Sequence, residues 1–220
     1  LVRRHTEIAV SEVEDGVTVQ PNHIYIIPPG KDLALLHGQL YLMDQPEKRG
    51  LRLPIDYFFR SLAQDQHERA ICVVLSGTGT DGTLGLKAVK EEGGMAMAQE
   101  PETAEYDGMP RSAIKTGLVD YILPPKGMPQ QLLSYVDHAL GAGRRRVTIP
   151  EPENTSALQK IFILLRAQMG HDFSHYKQTT IGRRIERRMA VNQIGDVDIY
   201  VRYLRENPLE VEALFRDLLI

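Results

Sequence analysis

The sequence has a single cysteine, Cys72, among its 220 residues. One cysteine excludes an internal disulfide and predicts a reducing, cytoplasmic setting. Because Cys72 lies inside the apolar run AICVVL, we expect a small core residue rather than a reactive thiol. The sequence also lacks the apolar run of roughly 20 residues that a membrane-spanning helix needs, and it lacks the basic-then-apolar leader of an exported protein. These absences predict a protein without membrane insertion.

The charge is distributed unevenly. Residues 1–140 carry a net charge of −6, and residues 141–220 carry +3. The change of sign falls on GAGRRRVTIPEPENTS, a Gly/Pro-rich charged stretch typical of an interdomain linker. We therefore predict two domains, 1–140 and 155–220, joined by a linker at 141–154.

The two predicted domains differ in their periodicity. In the first, the strand patterns HIYIIPPG, AICVVL, MAMA and LVDYILPP are separated by helical patterns, and LALLHGQLYLM predicts a hairpin around His37-Gly38. Strands joined by crossover helices predict an α/β domain with a mostly parallel sheet. The second domain is helical throughout, with one apolar stripe made of Leu158, Ile161, Phe162, Leu165 and Met169. A small all-α domain is expected there.

The stretch AICVVLSGTGTDGTLG, Ala70 to Gly85, opens a buried strand into a glycine-rich loop with Asp81 near its end. In open α/β sheets, reacting groups collect in loops that follow the carboxyl ends of strands. Glycines let backbone N–H groups approach a substrate oxygen, and Asp81 could orient a histidine in a Ser-His-Asp set. Alternatively, Asp81 only caps the helix that follows it. The spacing leaves both hypotheses open.

Several stretches resemble a known enzyme family. Over about residues 1–140, the resemblance lies in five stretches: VVLSGTGTDGTLGLKAVKEEGG, AQEPETAEYDGMPRSAI, VDYILPP, VQPNHIYIIPP and PIDYFFRSLA. They are similar to the catalytic domain of the CheB-type protein-glutamate methylesterases of bacterial chemotaxis. From about 155 to 220, LLRAQMGHDFSHYKQTTIGRRIERRM and YLRENPLEVEALFRDLLI resemble the N-terminal helical domain of the CheR-type receptor methyltransferases. This order resembles the fused CheB–CheR hybrids.

The resemblance implies a Ser-His-Asp hydrolase that removes methyl groups from glutamate methyl esters on chemoreceptor helices. Asp81 matches the triad aspartate, which fixes the histidine tautomer and stabilises the imidazolium. Thr78 stands where better-known members have a methionine whose backbone N–H belongs to the oxyanion hole, and Gly79 follows it. Met109 lies in the Gly-Met-Pro-Arg turn, which the resemblance assigns to shaping the floor beside the site.

The sequence also departs from the family pattern. The Gly-x-Ser-Thr-Gly-Gly turn of the family's nucleophile and the motif of its histidine do not occur here. Ser76 and Ser112 lack a Gly-x-Ser-x-Gly elbow, and the histidines of the first domain are scattered. Since the chain also begins at Leu1 rather than Met, we expect a fragment whose hydrolase domain is truncated at its N-terminus. Expressed alone, it is expected to be inactive.

A predicted helix in the second domain is rich in arginine. Its four arginines are predicted to lie apart from the apolar stripe of Ile181, Ile185 and Met189; they are Arg183, Arg184, Arg187 and Arg188. Like charges four residues apart repel, so the pattern favours an acidic partner. The resemblance implies docking of a glutamate-rich receptor helix. The alternative is that the arginines form a solvent-exposed charged face without a binding role.

No cofactor is expected in this chain. The resemblance places the S-adenosylmethionine site of the methyltransferase in an α/β domain beyond Ile220. His171 and His175 have metal-ligand spacing but no third ligand nearby, so no metal site is expected. The predicted function is a receptor-modifying chemotaxis enzyme. The alternatives are a non-catalytic adaptor that binds chemoreceptor helices and a nucleic-acid or nucleotide binder, which the lack of aromatic residues among the arginines disfavours.

Overall fold

The computed structural model describes residues 2–44, 52–139, 155–173 and 176–220. It divides into two compact units, one ending at Thr116 and the other starting at Gly117. The predicted linker, 141–154, lies outside the described residues, so the predicted domain boundaries stay a prediction. None of the helices in the described ranges has both the length and the apolar character to cross a membrane.

Two small sheets form the beginning of the first unit. Strand β1 (Ala9–Glu12) pairs in parallel with β3 (His23–Ile26). Strands β2 (Val17–Thr18), β5 (Gln39–Asp44) and β4 (Lys31–Leu36) form an antiparallel sheet in that order. The turn between β4 and β5 has φ values of 52° and 73° at His37 and Gly38, as a two-residue hairpin turn requires. The predicted hairpin is confirmed.

The rest of the first unit alternates helices and strands. The elements are α1 (Pro54–Gln66), β6 (Ile71–Val74), α2 (Thr83–Glu91), β7 (Met95–Gln99) and α3 (Gly108–Lys115). Strands β6 and β7 pair in parallel, with Ile71 opposite Met95 and Val74 opposite Ala98. Cys72 is 1% exposed, which confirms its placement in the core. The predicted α/β architecture is confirmed.

The second unit contains one strand and five helices within the described ranges. They are β8 (Tyr121–Leu123), α4 (Met128–Ala139), α5 (Thr155–Met169), α6 (Gln178–Val191), α7 (Val197–Glu206) and α8 (Pro208–Leu219). The apolar stripes of the last four helices share one core that includes Ile161, Leu165, Ile185, Leu204 and Leu214. The predicted helical bundle is confirmed. Helix α4 packs against α6, so β8 and α4, which the sequence assigns to the first domain, lie in this unit.

Candidate active site

The glycine-rich loop follows β6 and leads into α2. Thr78, Gly79 and Thr80 are exposed in it. Within the described part of the chain, the backbone N–H groups of Thr78 and Gly79 have no hydrogen-bond acceptor. The loop therefore presents unpaired donors at the carboxyl end of a parallel strand, where they can bind an anionic oxygen.

Asp81 is half-buried at the end of this loop, and its carboxylate accepts three backbone hydrogen bonds. Oδ1 accepts the N–H groups of Asp56 and Gly82, each at 2.9 Å, and Oδ2 accepts the N–H of Ile55 at 3.1 Å. A carboxylate offers about four acceptor positions. One position, on Oδ2, is therefore left for another donor.

The hydrogen bonds of Asp81 contradict the simpler alternative that it caps the helix after it. The N-cap of α2 is Gly82, which has no side chain. Asp81 instead caps the first turn of α1, at Ile55 and Asp56, which lie 26 and 25 residues earlier in the chain. Capping by Asp81 is thus real, but it concerns a helix that sequence spacing could not indicate.

A second loop supports the glycine-rich one from behind. The N–H of Gly77 donates to the Tyr106 carbonyl at 2.9 Å, and the N–H of Met109 donates to the Gly77 carbonyl at 2.8 Å. A Cβ at Gly77 would lie 2.3 Å from the Met109 sulfur, so Met109 packs directly on this glycine. This position is compatible with the floor role predicted for Met109, which itself stays a prediction.

Both serines near the loop make hydrogen bonds to the backbone. Ser76 Oγ accepts the N–H of Tyr106 at 2.9 Å, and Ser112 Oγ donates to the Gly108 carbonyl at 2.8 Å. The Ser76 hydroxyl thus ties the two loops together, and Ser112 Oγ lies 3.3 Å from the Gly79 carbonyl of the glycine-rich loop. Nearby, the Arg111 guanidinium donates to the Asp107 carboxylate at 2.5 Å, and this hydrogen bond lowers the pKa of Asp107.

The arginines of α6 do not share one environment. Arg183 is exposed and Arg184 half-buried, whereas Arg187 and Arg188 are buried. The expectation that α6 displays all four arginines is therefore wrong for Arg187 and Arg188. The pattern of α6 could not show this, because the carboxylates that bury them come from other segments.

These carboxylates form a buried ion cluster in the second unit. Arg187 pairs with Asp217, and Arg188 donates through Nε to Glu210 at 2.9 Å. Asp120, whose side chain is 1% exposed, contacts the guanidinium groups of Arg187 and Arg188 at 2.6 and 3.3 Å. Removing one member of such a cluster would leave a buried charge without its partner.

The described ranges contain no group of three side chains placed to hold a metal ion. His171 Nε2 instead lies 3.0 Å from the Tyr176 hydroxyl. His175, the other member of the pair, lies outside the described residues.

Comparison with known proteins identifies the family. The model of the CheB methylesterase family matches residues 1–132. The chain belongs to the CheB methylesterase family. Residues 156–219 match the all-alpha domain of the CheR methyltransferases, so the chain joins a CheB-type domain to a CheR-type domain. The resemblance stated from the sequence is thereby confirmed.

Individual relatives agree with this assignment. An uncharacterized 104.1 kDa protein of Rhodobacter capsulatus is 37% identical over the whole chain, which spans 25% of that relative. The protein-glutamate methylesterase/protein-glutamine glutaminase of Pyrococcus abyssi is 34% identical over 66% of the chain and 41% of its own length. The chain thus spans less than half of either relative.

A solved structure has a similar fold. The Thermotoga maritima CheB methylesterase catalytic domain has a TM-score of 0.51 and 35% identity to this chain. The similarity covers 56% of this chain and 67% of that domain.

The sequence patterns did not indicate four buried carboxylates, which are Asp56, Asp120, Glu210 and Asp217. Asp56 carried a usable signal, because it stands as an acidic residue among apolar ones in the first turn of α1. Asp120 carried none, since its arginine partners lie 67 and 68 residues away.

Proposed function

We propose that the protein carrying this chain hydrolyses glutamate methyl esters on chemoreceptors in the cytoplasm, and that Asp81 is the aspartate of its Ser-His-Asp set. The observation that carries this proposal is the setting of the Asp81 carboxylate. It is held by three backbone N–H groups at the end of the glycine-rich loop, and it has one acceptor position left on Oδ2. Membership of the CheB methylesterase family supports the reaction class.

The proposed role of each residue follows from its polar atoms. Asp81 accepts the N–H of a catalytic imidazole, which keeps the other ring nitrogen free to take the proton of the nucleophile. The N–H of Thr78, beside that of Gly79, donates to the oxyanion of the tetrahedral intermediate. Met109 fixes the loop by packing on Gly77. The serine and histidine are not assigned to any residue of this chain.

The names of the relatives suggest that the substrate range includes glutamine. Several are called protein-glutamate methylesterase/protein-glutamine glutaminase. A side-chain ester and a side-chain amide are attacked at the same acyl carbon, with methanol or ammonia as the leaving group. We therefore include deamidation of receptor glutamines in the proposal.

For the CheR-type helices, we propose docking of an acidic receptor helix through Arg183 and Arg184. Arg183 is exposed, and Arg184 is half-buried with Nη1 on the Asp217 carbonyl at 2.5 Å. Arg187 and Arg188 are not part of the proposed docking surface, because they are buried. S-adenosylmethionine is proposed as the cofactor of the whole protein's methyltransferase activity, with no residue of this chain assigned to it.

Methanol release from methylated chemoreceptor tests the proposed reaction. We expect release by the full-length gene product and none above background by the 220-residue chain, which has no assigned nucleophile or base. Robust release by the chain alone would show that another residue set performs the hydrolysis. A full-length product that binds receptor but releases no methanol would favour the adaptor.

A further inference from the structure

A second carboxylate, Asp56, lies directly behind Asp81. Asp56 stands in the first turn of α1 and is 3% exposed. Its Oδ1 accepts the N–H of Gly85 in the first turn of α2 at 2.6 Å, and its own N–H donates to Asp81 Oδ1 at 2.9 Å. Asp56 therefore touches both Asp81 and the helix that follows Asp81.

The two carboxylates cap each other's helix. The N-cap of α1 is Leu53 and that of α2 is Gly82, and neither has a side-chain cap hydrogen bond. Asp81 takes the N–H groups at the second and third positions of α1, and Asp56 takes the N–H at the third position of α2. These are the N–H groups that a helix's own N-cap residue would satisfy.

This reciprocal capping requires the backbones of α1 and α2 to lie close together. A Cβ at Gly85 would lie 2.5 Å from Phe59 Cβ and 2.9 Å from the Asp56 backbone. This close approach lets an aspartate reach across, so a shift of α1 against α2 breaks both caps together. The position of Asp81 thus depends on the hydrogen bond between Asp56 and Gly85.

The second carboxylate oxygen of Asp56 indicates that Asp56 does more than fill space in the core. Oδ2 is buried and has no hydrogen-bond partner within the described residues. A buried carboxylate with one oxygen unpaired costs free energy that an apolar residue would avoid. The fold accepts this cost at a position that links the start of α1 to the start of α2.

From these contacts we propose that Asp56 is a positioning residue for Asp81. Asp56 touches no substrate; it holds the first turn of α1 in place, and that turn's N–H groups aim the Asp81 carboxylate at the imidazole. This inference rests on the proposed methylesterase function. It adds a residue whose effect on the reaction passes entirely through Asp81.

Kinetics of the full-length gene product test the inference. We expect Asp56→Ala to lower kcat for methanol release by about 10- to 100-fold, because a displaced Asp81 no longer aligns the histidine. KM should stay within about threefold. Asp56→Asn keeps the Oδ1 acceptor and should restore most of the rate. Arg60→Ala, an exposed site one turn further along α1, is the matched control and should behave like wild type.

The pH profile separates positioning from a general loss of structure. A carboxylate beside the imidazole stabilises the imidazolium, so a displaced Asp81 should move the acid limb of kcat/KM to lower pH in Asp56→Ala. Loss of folded protein would scale the whole profile without moving it. An unshifted limb together with wild-type kcat would overturn the inference. If wild type itself releases no methanol, the proposed function fails instead.

Amide hydrogen exchange in the 220-residue chain gives a second test that needs no activity. In Asp56→Asn, we expect the Gly85 and Ile55 amides to keep nearly the same protection as in wild type. In Asp56→Ala, we expect both amides to lose their protection together. The Ile55 amide is bonded to Asp81, not to Asp56. Protection of Ile55 that survives Asp56→Ala would show that the two caps are independent and would contradict the inference.

Discussion

Tyr121 links β8 to the end of α6 through a hydrogen bond that depends on the protonated phenol. Its hydroxyl donates to the Val191 carbonyl at 2.5 Å. Burial raises the pKa of Tyr121 to about 12. In the unfolded chain, a tyrosine titrates near 10, so the folded state keeps a proton that the unfolded state has lost between about pH 10 and 12. The stability that Tyr121 contributes is complete below pH 10 and falls as the pH rises to 12.

Tyr121→Phe is therefore expected to show a pH-dependent cost. At pH 8 the free energy of unfolding of the variant should be about 1 kcal/mol lower than that of wild type, because the Val191 carbonyl loses its donor. The difference from wild type should shrink between pH 10 and 12, since only wild type contains the titrating phenol. Urea unfolding at several pH values measures this. A difference that stays constant up to pH 12 would contradict the assignment.

The ion cluster of the second unit predicts a larger loss of stability when Glu210 is replaced. Its carboxylate accepts from Arg188, and Oε1 also accepts the Tyr200 hydroxyl at 2.8 Å. Burial, followed by the charge of Glu210, raises the pKa of Tyr200 well above its usual value, so this tyrosine stays a neutral donor. Glu210→Ala would leave Arg188 buried with fewer partners.

We expect Glu210→Ala to lower the free energy of unfolding by about 3–5 kcal/mol. Glu212→Ala, at an exposed position of the same helix, should stay within about 0.5 kcal/mol of wild type. Chemical denaturation of both variants measures the difference. Equal, small effects would show that the buried cluster contributes no more than a surface pair.

At the scale of elements, the approach of α1 to α2 depends on Gly85. Alanine normally stabilises a helix interior relative to glycine. Here the added Cβ would lie within 3 Å of Phe59 Cβ and of the Asp56 backbone, which cannot move without displacing α1. The steric cost should therefore exceed the gain in helix propensity.

Gly85→Ala is expected to destabilise the chain by about 1–3 kcal/mol. Gly195→Ala is the matched control, because nothing lies within 4 Å of a Cβ at Gly195. Thermal unfolding of the two variants compares them. A Gly85→Ala variant as stable as the control would show that the helices are further apart than the structure has them.

The elements also show how far sequence patterns reach. Some helix starts carry local signals in the sequence: Pro54 begins α1, as suits a proline, and the Asp196 side chain caps α7 by accepting the N–H of Ile199 at 3.0 Å. The stretch Asn207-Pro208-Leu209-Glu210 has the residue types of a helix-capping motif, but Asn207 makes no side-chain cap bond and Glu210 accepts from Arg188 instead. Long-range partners compete with local ones, and sequence spacing contains only the local ones.

The same distinction applies to the candidate site. The family motif led to Asp81, Thr78 and Met109 without any structure. The hydrogen bonds that hold Asp81 come from Ile55 and Asp56, 26 and 25 residues away, and no periodicity connects these segments. For the same reason, the sequence could not separate the two buried arginines of α6 from the two that are accessible.

At the scale of the whole molecule, the uneven charge bears on the proposed docking of an acidic receptor helix. Residues 1–140 carry −6, and residues 141–220 carry +3. We expect a glutamate-rich receptor peptide to bind this chain with an affinity that falls as salt is raised, since exposed charges are screened. Arg183→Ala should weaken binding several-fold, and Arg202→Ala on α7 is a control of equal charge.

Titration calorimetry at low and moderate salt measures this binding. Equal weakening by the two arginine variants would show that only net charge matters and would contradict a docking site on α6. Tighter binding of single-stranded DNA than of the peptide, with a steeper dependence on salt, would favour the nucleic-acid alternative.

The most direct test of the whole account is the rate of methanol release by the full-length gene product with Asp81→Asn. Asparagine keeps an acceptor oxygen but removes the negative charge that, in the proposed role, stabilises the imidazolium. We expect kcat to fall by about ten-thousand-fold, as when the aspartate of such a triad is changed to asparagine. Glu105→Gln, which alters an exposed carboxylate in the neighbouring loop, should leave the rate unchanged. An Asp81→Asn enzyme within tenfold of wild type would contradict the assignment of Asp81.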